Sequence, residues 1–402
     1  MSRTYLIASL AAIPAVLFFL VLGRHELAGE FVPQDIAVSL LGAERLIATG
    51  SPYPQAYRDL SATLPFWIDW TTYNMTPLMA QLFVPIQRLG FTGVWYLWLT
   101  VSFSALAAAA ALGWRSGGGT ITRRGLLIGS LLLLGVSPIS EGLVTGRPEF
   151  LVALAIGWAL VSDRAIIGLV IATLTRVTPV LLLLPYAIST GQPLRTLWRG
   201  AVLGGLILAI LVFLAPEAWR EFTFGGVGQL IFSMTGWPEL LSSQSGTPAP
   251  TLALLLSGFS LDPFSAVGEV HWVFTLVSWL TSAGAGALML LSLHWSRDRA
   301  RRHAALAASA VALLFGFGLL FDYHMVILVP IAAASWVAGG TRAKTLLAGA
   351  VLISALIPLA LLTNDWSFPS WSSAISLPIA LAVLEAARIT RLPVRAATGR
   401  DR

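Results

Sequence analysis

Apolar runs of near-span length recur from one end of this chain to the other, and they restrict its fold more than anything else in it. Tyr5–Gly23 and Thr345–Thr363 are typical, each close to the ~20 residues an α-helix needs to cross a hydrocarbon core. A soluble all-helical protein could also have apolar helices, but not ten of near-span length. Charged residues make up 11 % of the chain and mean hydropathy is +0.80, against roughly 25 % charged in a soluble globular protein. The expected fold class is therefore all-α, a polytopic transmembrane helical protein. About ten full spans are expected, plus re-entrant or short helices.

Charge patterning orients these spans. The 25 basic residues exceed the 19 acidic ones, for a net charge of +6. In a membrane chain such an excess marks cytoplasmic loops. No compact basic and aromatic patch tracks a phosphate backbone, so nucleic acid is not an expected partner. Cysteine is absent, which excludes disulfides and thiolate chemistry. Tyr5–Gly23 exceeds the apolar core of a signal peptide, and no small-residue cleavage site follows it, so a retained first span is expected.

The decisive segment is Ala165–Ser189. It is long enough to cross once, yet it contains Arg176, Thr178, Pro179 and Pro185. A crossing here would put Arg195, Arg199, the Arg297–Arg302 cluster and the Arg-rich tail outside, against the positive-inside bias. A turn back at Arg176–Pro179, as two short helices, keeps them inside. Irregular backbone at membrane depth is tolerated only where protein buries it or a cavity is lined by it. Both termini are then cytoplasmic. Residues 1–390 form a single transmembrane domain with outer segments 24–77 and 216–263, and 391–402 form a basic cytoplasmic tail. Most acidic residues fall on the outer side.

Several residues in this arrangement can carry chemistry. Asp35 follows the first span, at the start of a short helix expected over Ile36–Ala48, where it is either a helix cap or a general base. Thr145-Gly146-Arg147-Pro148-Glu149 opens a helix at the outer surface. Arg147 there either binds a phosphate or pairs with Glu149. Arg176 is the most deeply placed charge, and an intramembrane guanidinium marks a functional site or a buried partner. His324 lies at an outer turn with no second histidine at ligand spacing, so no metal is expected. Gln244 lies in the polar turn Ser242–Thr247, which either hydrogen-bonds a sugar or is a solvated loop. Tyr73, with Trp67 and Trp70 nearby, either stacks on a ligand or sits at the headgroup level. No Asp-x-Asp pair, phosphate-binding glycine loop or Gly-x-Ser-x-Gly elbow is present.

The order of these features resembles a known family. Gly50–Tyr53 reads Gly-x-Pro-Tyr, and Tyr73–Leu78 reads Tyr-x-x-x-Pro-Leu before an apolar helix ending at Pro85-Ile86. Gly146–Glu149 reads Gly-Arg-x-Glu where the family tends to show Gly-Gln-x-Asn. Gly168–Pro179 carries Arg176 where lysine is more frequent. Ser243-Gln244-Ser245 and Tyr323-His324 complete the series. Together they resemble the family 87 glycosyltransferases of the GT-C superfamily over most of residues 1–390. The resemblance implies a polyprenyl-phosphate sugar donor, mannose or arabinofuranose, and a glycan or glycolipid acceptor at the outer membrane face. It implies Asp35 as catalytic base and brings His324 into the site. Arg147 and Arg176 are expected to bind the donor phosphate, Gln244 and Tyr73 to bind substrate, and no cofactor is expected. A transporter or lipid flippase is the alternative that the broken helix and Arg176 also fit.

Overall fold

The computed structural model describes residues 34–53, 75–122, 146–224, 271–316, 322–363 and 370–392, with residues 125, 129, 139, 142 and 143 between them. The expected first span, most of the two outer segments, and the basic tail lie outside the described residues. Every regular element among the described residues is helical. Helix α1 is Gln34–Thr49, α2 Pro77–Phe83 and α3 Gly90–Ser116. They are followed by α4 Glu149–Val161, α5 Ile166–Thr175, α6 Val180–Ser189, α7 Pro193–Leu214 and α8 Pro216–Phe224. The later chain gives α9 His271–Trp295, α10 Arg302–Gly316, α11 Val329–Ala338, α12 Thr341–Thr363 and α13 Ser370–Ile389.

By length and composition, Gln87–Ser116 and Pro193–Leu214 are helices able to cross a membrane. On α7 the residues Leu194, Trp198, Val202, Leu206, Ile210 and Phe213 are all exposed, Phe213 at 84 %. Their spacing of three to four residues puts them on one face. Water would penalise such a stripe, whereas hydrocarbon accommodates it.

The core is built by close approach. Ala105, Ala109 and Gly113 recur every four residues along α3, with Gly117 next in the series at its C-terminal cap, the small-residue spacing that lets helix backbones touch. A Cβ on Gly113 would lie 2.1 Å from the carbonyl oxygen of Pro330 in α11. On α4, a Cβ on Gly157 would meet the Ala109 carbonyl at 2.9 Å. Helix α3 is thereby clamped between α4 and α11.

The turn-back expected in Ala165–Ser189 is present. Arg176 leaves the helical region at φ −139°, ψ 117°, and Pro179, which has no N–H and disfavours helix in the residue before it, precedes the start of α6. Helices α5 and α6 then fold against each other as a hairpin. The ends away from its tip are tied together: Tyr186 donates its hydroxyl to Ser162 O at 2.8 Å and accepts from Ala165 N–H at 2.9 Å. Arg302, buried at the start of α10, seals the same end. It pairs with Asp163 and donates to Ser189 O at 3.0 Å. At ~1.5 Å rise per residue, each ten-residue arm carries the tip about 15 Å away from that seal. Arg176 sits at the tip.

Candidate active site

Gly146 sets the geometry at the start of α4. It adopts φ +86°, a left-handed conformation that glycine enters without penalty. Its N–H and that of Arg147 both bond Gly142 O at 3.1 Å. Trp98 on α3 donates its indole N–H to Gly146 O at 2.7 Å. Ile36 of α1 fills the space where a side chain would stand, and a Cβ at 146 would lie 2.1 Å from its Cγ1. The first turn of α1 is therefore pressed directly onto the 146–149 turn.

This contact brings Asp35 to Arg147. Asp35 lies in the first turn of α1, where a carboxylate suits the positive end of the helix dipole. The residue is 6 % exposed, and its Oδ2 is ion-paired with Arg147 Nε. Burial pushes the Asp35 carboxyl up from its ordinary 3.8 to about 6, against the pull of Arg147 and Arg176. Its neighbours Ile36, Ala37, Leu40 and Leu41 are buried among Met75, Met79, Phe83 and Trp98, so α1 has little freedom to move the carboxylate.

Glu149 is the second centre. It is the only charged residue of α4, stands at that helix's first position, and is 4 % exposed. Its Oε1 accepts from Arg176 Nη2 at 2.6 Å and from His324 Nε2 at 3.2 Å. A carboxylate only accepts, so the His324 proton in this bond is on Nε2. Arg176 is delivered by the hairpin tip, which Thr76 at the start of α2 fastens by donating to Leu174 O at 2.7 Å. His324 is delivered by a 3-10 turn, Asp322–Leu328, whose Met325, Val326 and Ile327 are buried.

Four sequence-expected residues, Asp35, Arg147, Arg176 and His324, thus meet in one cluster with Glu149, its two carboxylates buried and the other three side chains half-buried. Tyr73 and Gln244 lie outside the described residues. The alternative pairing of Arg147 with Glu149 is corrected. Residues two apart at a helix start do not face each other, and Arg147 turns to Asp35 while Glu149 turns to Arg176 and His324. Sequence reasoning named Glu149 only as a possible partner of Arg147 and gave it no part in the site. Its signal was a single carboxylate opening an otherwise apolar helix.

Two carboxylates and two guanidiniums give the cluster near-neutral charge, as buried charges require. Its chemistry is that of a proton acceptor beside two cations that can face a phosphate. Among the described residues no three His, Asp or Glu side chains converge on a possible metal position.

Comparison with protein families supplies the class. The model of glycosyltransferase family 87 matches residues 72–322, well over half of the chain. The chain belongs to glycosyltransferase family 87. The match runs from just before α2 to the 3-10 turn, taking in Arg147, Glu149 and Arg176, while Asp35 and His324 lie outside its limits. No curated protein and no solved structure matches the chain. As a member of family 87 it is a glycosyltransferase of a membrane-associated class, and a transporter or flippase is no longer the reading that its broken hairpin calls for.

Proposed function

We propose that the protein is an inverting glycosyltransferase that moves a sugar, mannose or arabinofuranose, from a polyprenyl-phosphate donor to a glycan or glycolipid acceptor. The reaction takes place at the outer face of a membrane that the chain crosses about ten times. The observation that carries this reading is the convergence of Asp35, Arg147, Glu149, Arg176 and His324, from four separate stretches, into one cluster.

Asp35 removes the proton of an acceptor hydroxyl. The oxygen then attacks the anomeric carbon as the bond to the phosphate oxygen breaks, and polyprenyl phosphate leaves with that electron pair. A single displacement inverts the anomeric centre. A carboxylate with its pKa near 6 is well placed for this, because a general base works best when its pKa lies near the operating pH. Charge grows on the leaving phosphate, and fixed cations aimed at it stabilise the transition state without reorganising. Arg147 and Arg176 supply them, with His324 contacting the phosphate or the donor sugar. Tyr73 and Gln244 bind sugar in this scheme. It needs no cofactor.

The test is incubation of membranes with radiolabelled polyprenyl-phosphate mannose and, separately, the arabinofuranose donor. Wild type transfers label to a new acceptor. Asp35→Asn, which keeps the side-chain shape, loses ~10²–10⁴-fold of that rate. A loss of only about twofold would leave Asp35 a structural residue and sink its assignment as base.

A further inference from the structure

Glu149 does more than hold Arg176 and His324, because only one of its two oxygens is engaged in doing so. Oε1 takes both contacts. Oε2 is buried and has no hydrogen-bond partner among the described residues, and the same holds for Arg176 Nε on the other side of the couple. Buried polar atoms are nearly always hydrogen-bonded, so an orphan of this kind points to a group that joins the site.

The chemistry of the two orphans identifies that group. An ionised carboxylate only accepts hydrogen bonds, so whatever meets Oε2 must bring a hydrogen. A phosphodiester carries only acceptor oxygens. It satisfies Arg176 but is repelled by Glu149. A hydroxyl is donor and acceptor at once, and it satisfies the carboxylate directly. Donor sugar and acceptor glycan both offer hydroxyls, but the donor sugar is the one joined directly to the phosphate that Arg176, bonded to the same carboxylate, is placed to meet.

We infer that Glu149 is a specificity-determining residue whose Oε2 accepts a hydrogen bond from one hydroxyl of the transferred sugar, while Oε1 keeps Arg176 turned toward the phosphate. The inference rests on the donor class proposed above. It divides the site in two: the arginines read the phosphate, and Glu149 reads the sugar beside it. Hydroxyl recognition by a buried charged acceptor discriminates strongly, because the analogue lacking the hydroxyl leaves the carboxylate unpaired.

The experiment compares wild type with Glu149→Gln on polyprenyl-phosphate mannose and a panel of its monodeoxy analogues, and on the matching arabinofuranose set. Glutamine preserves the shape and one acceptor for Arg176 and His324, but it sets an N–H donor where Oε2 stood. Wild type is expected to lose about 10- to 100-fold in kcat/KM on one particular deoxy donor. Glu149→Gln is expected to lose a similar factor on the parent donor, and to show no further loss on that same deoxy donor. Thermal melting of both proteins verifies that the variant is folded. If folded Glu149→Gln discriminates among the deoxy donors just as wild type does, Oε2 faces water only and the inference is overturned while the transferase reading stands. If wild type transfers from neither donor set, the proposed function falls and this inference with it.

Discussion

Gly146→Ala is the substitution that most directly tests how the site is assembled. The added Cβ would lie 2.1 Å from Ile36 Cγ1 and 2.6 Å from its Cδ1. Reaching a contact of 3.4 Å requires something to move by about 1.3 Å. Ile36 is fully buried, so its side chain has no open space to enter, and the relief must come from α1 or from the 146–149 turn. Two costs combine. Alanine in the left-handed conformation at φ +86° loses roughly 1–2 kcal/mol, and overpacking a filled core loses about 1–3 kcal/mol. The expected destabilisation is about 2–5 kcal/mol. The effect on function should exceed the effect on folding. A 1 Å misplacement can cost ~10²-fold in rate, and the moving parts here carry Asp35 and Arg147. The assay is thermal melting in detergent alongside sugar transfer. Ile36→Ala in the same background removes both clashing atoms, so the double variant should be about 0.5–3 kcal/mol more stable than the sum of the singles predicts. If Gly146→Ala melts with wild type and transfers at the wild-type rate, the account of how α1 is seated is refuted.

Other perturbations probe the remaining parts. Asp35 has its folded pKa raised from 3.8 to about 6, so the folded state holds a proton that the unfolded state has released between those values. Its stabilising contribution is full below pH 3.8 and is lost as pH rises through 6, by about 3 kcal/mol in total. Melting curves of wild type and Asp35→Asn should therefore diverge between about pH 4 and 6, and parallel curves would contradict the burial described. Activity should run the opposite way, falling about tenfold per pH unit below 6 as the base is protonated; a profile that stays flat down to about pH 4 would rule Asp35 out. Arg176→Gln removes the cation at the hairpin tip and should lower kcat by ~10²–10³-fold, with a change under about threefold arguing against any contact with charge in the transition state. Arg302→Ala unseals the far end of that hairpin and leaves the buried Ser189 carbonyl without this donor. A loss of about 1–3 kcal/mol in stability is expected, and an unchanged melting temperature would show that α5 and α6 do not depend on the seal.

The helices were readable because their determinants are local. The helix expected to open within Thr145–Glu149 is α4 at Glu149–Val161. Pro179 announced the break between α5 and α6, since proline has no N–H and disfavours helix in the residue before it. The short helix expected over Ile36–Ala48 is α1, and the structure buries residues 35–43 of it. That burial depends on Met75, Phe83 and Trp98, which no local pattern connects to Ile36.

Local periodicity and the charge pattern by themselves pointed to helices, as the described residues form, and to a turn-back segment carrying an arginine at its tip. They could nominate Asp35, Arg147, Arg176 and His324 one at a time. Which charge faces which was decided only by the tertiary structure. Ion pairing is set by distances between side chains that are far apart in sequence, and the choice turned on Ile36 filling the space over Gly146. That contact puts Asp35 against Arg147, and Glu149 faces instead the arginine of one hairpin tip and the histidine of one 3-10 turn.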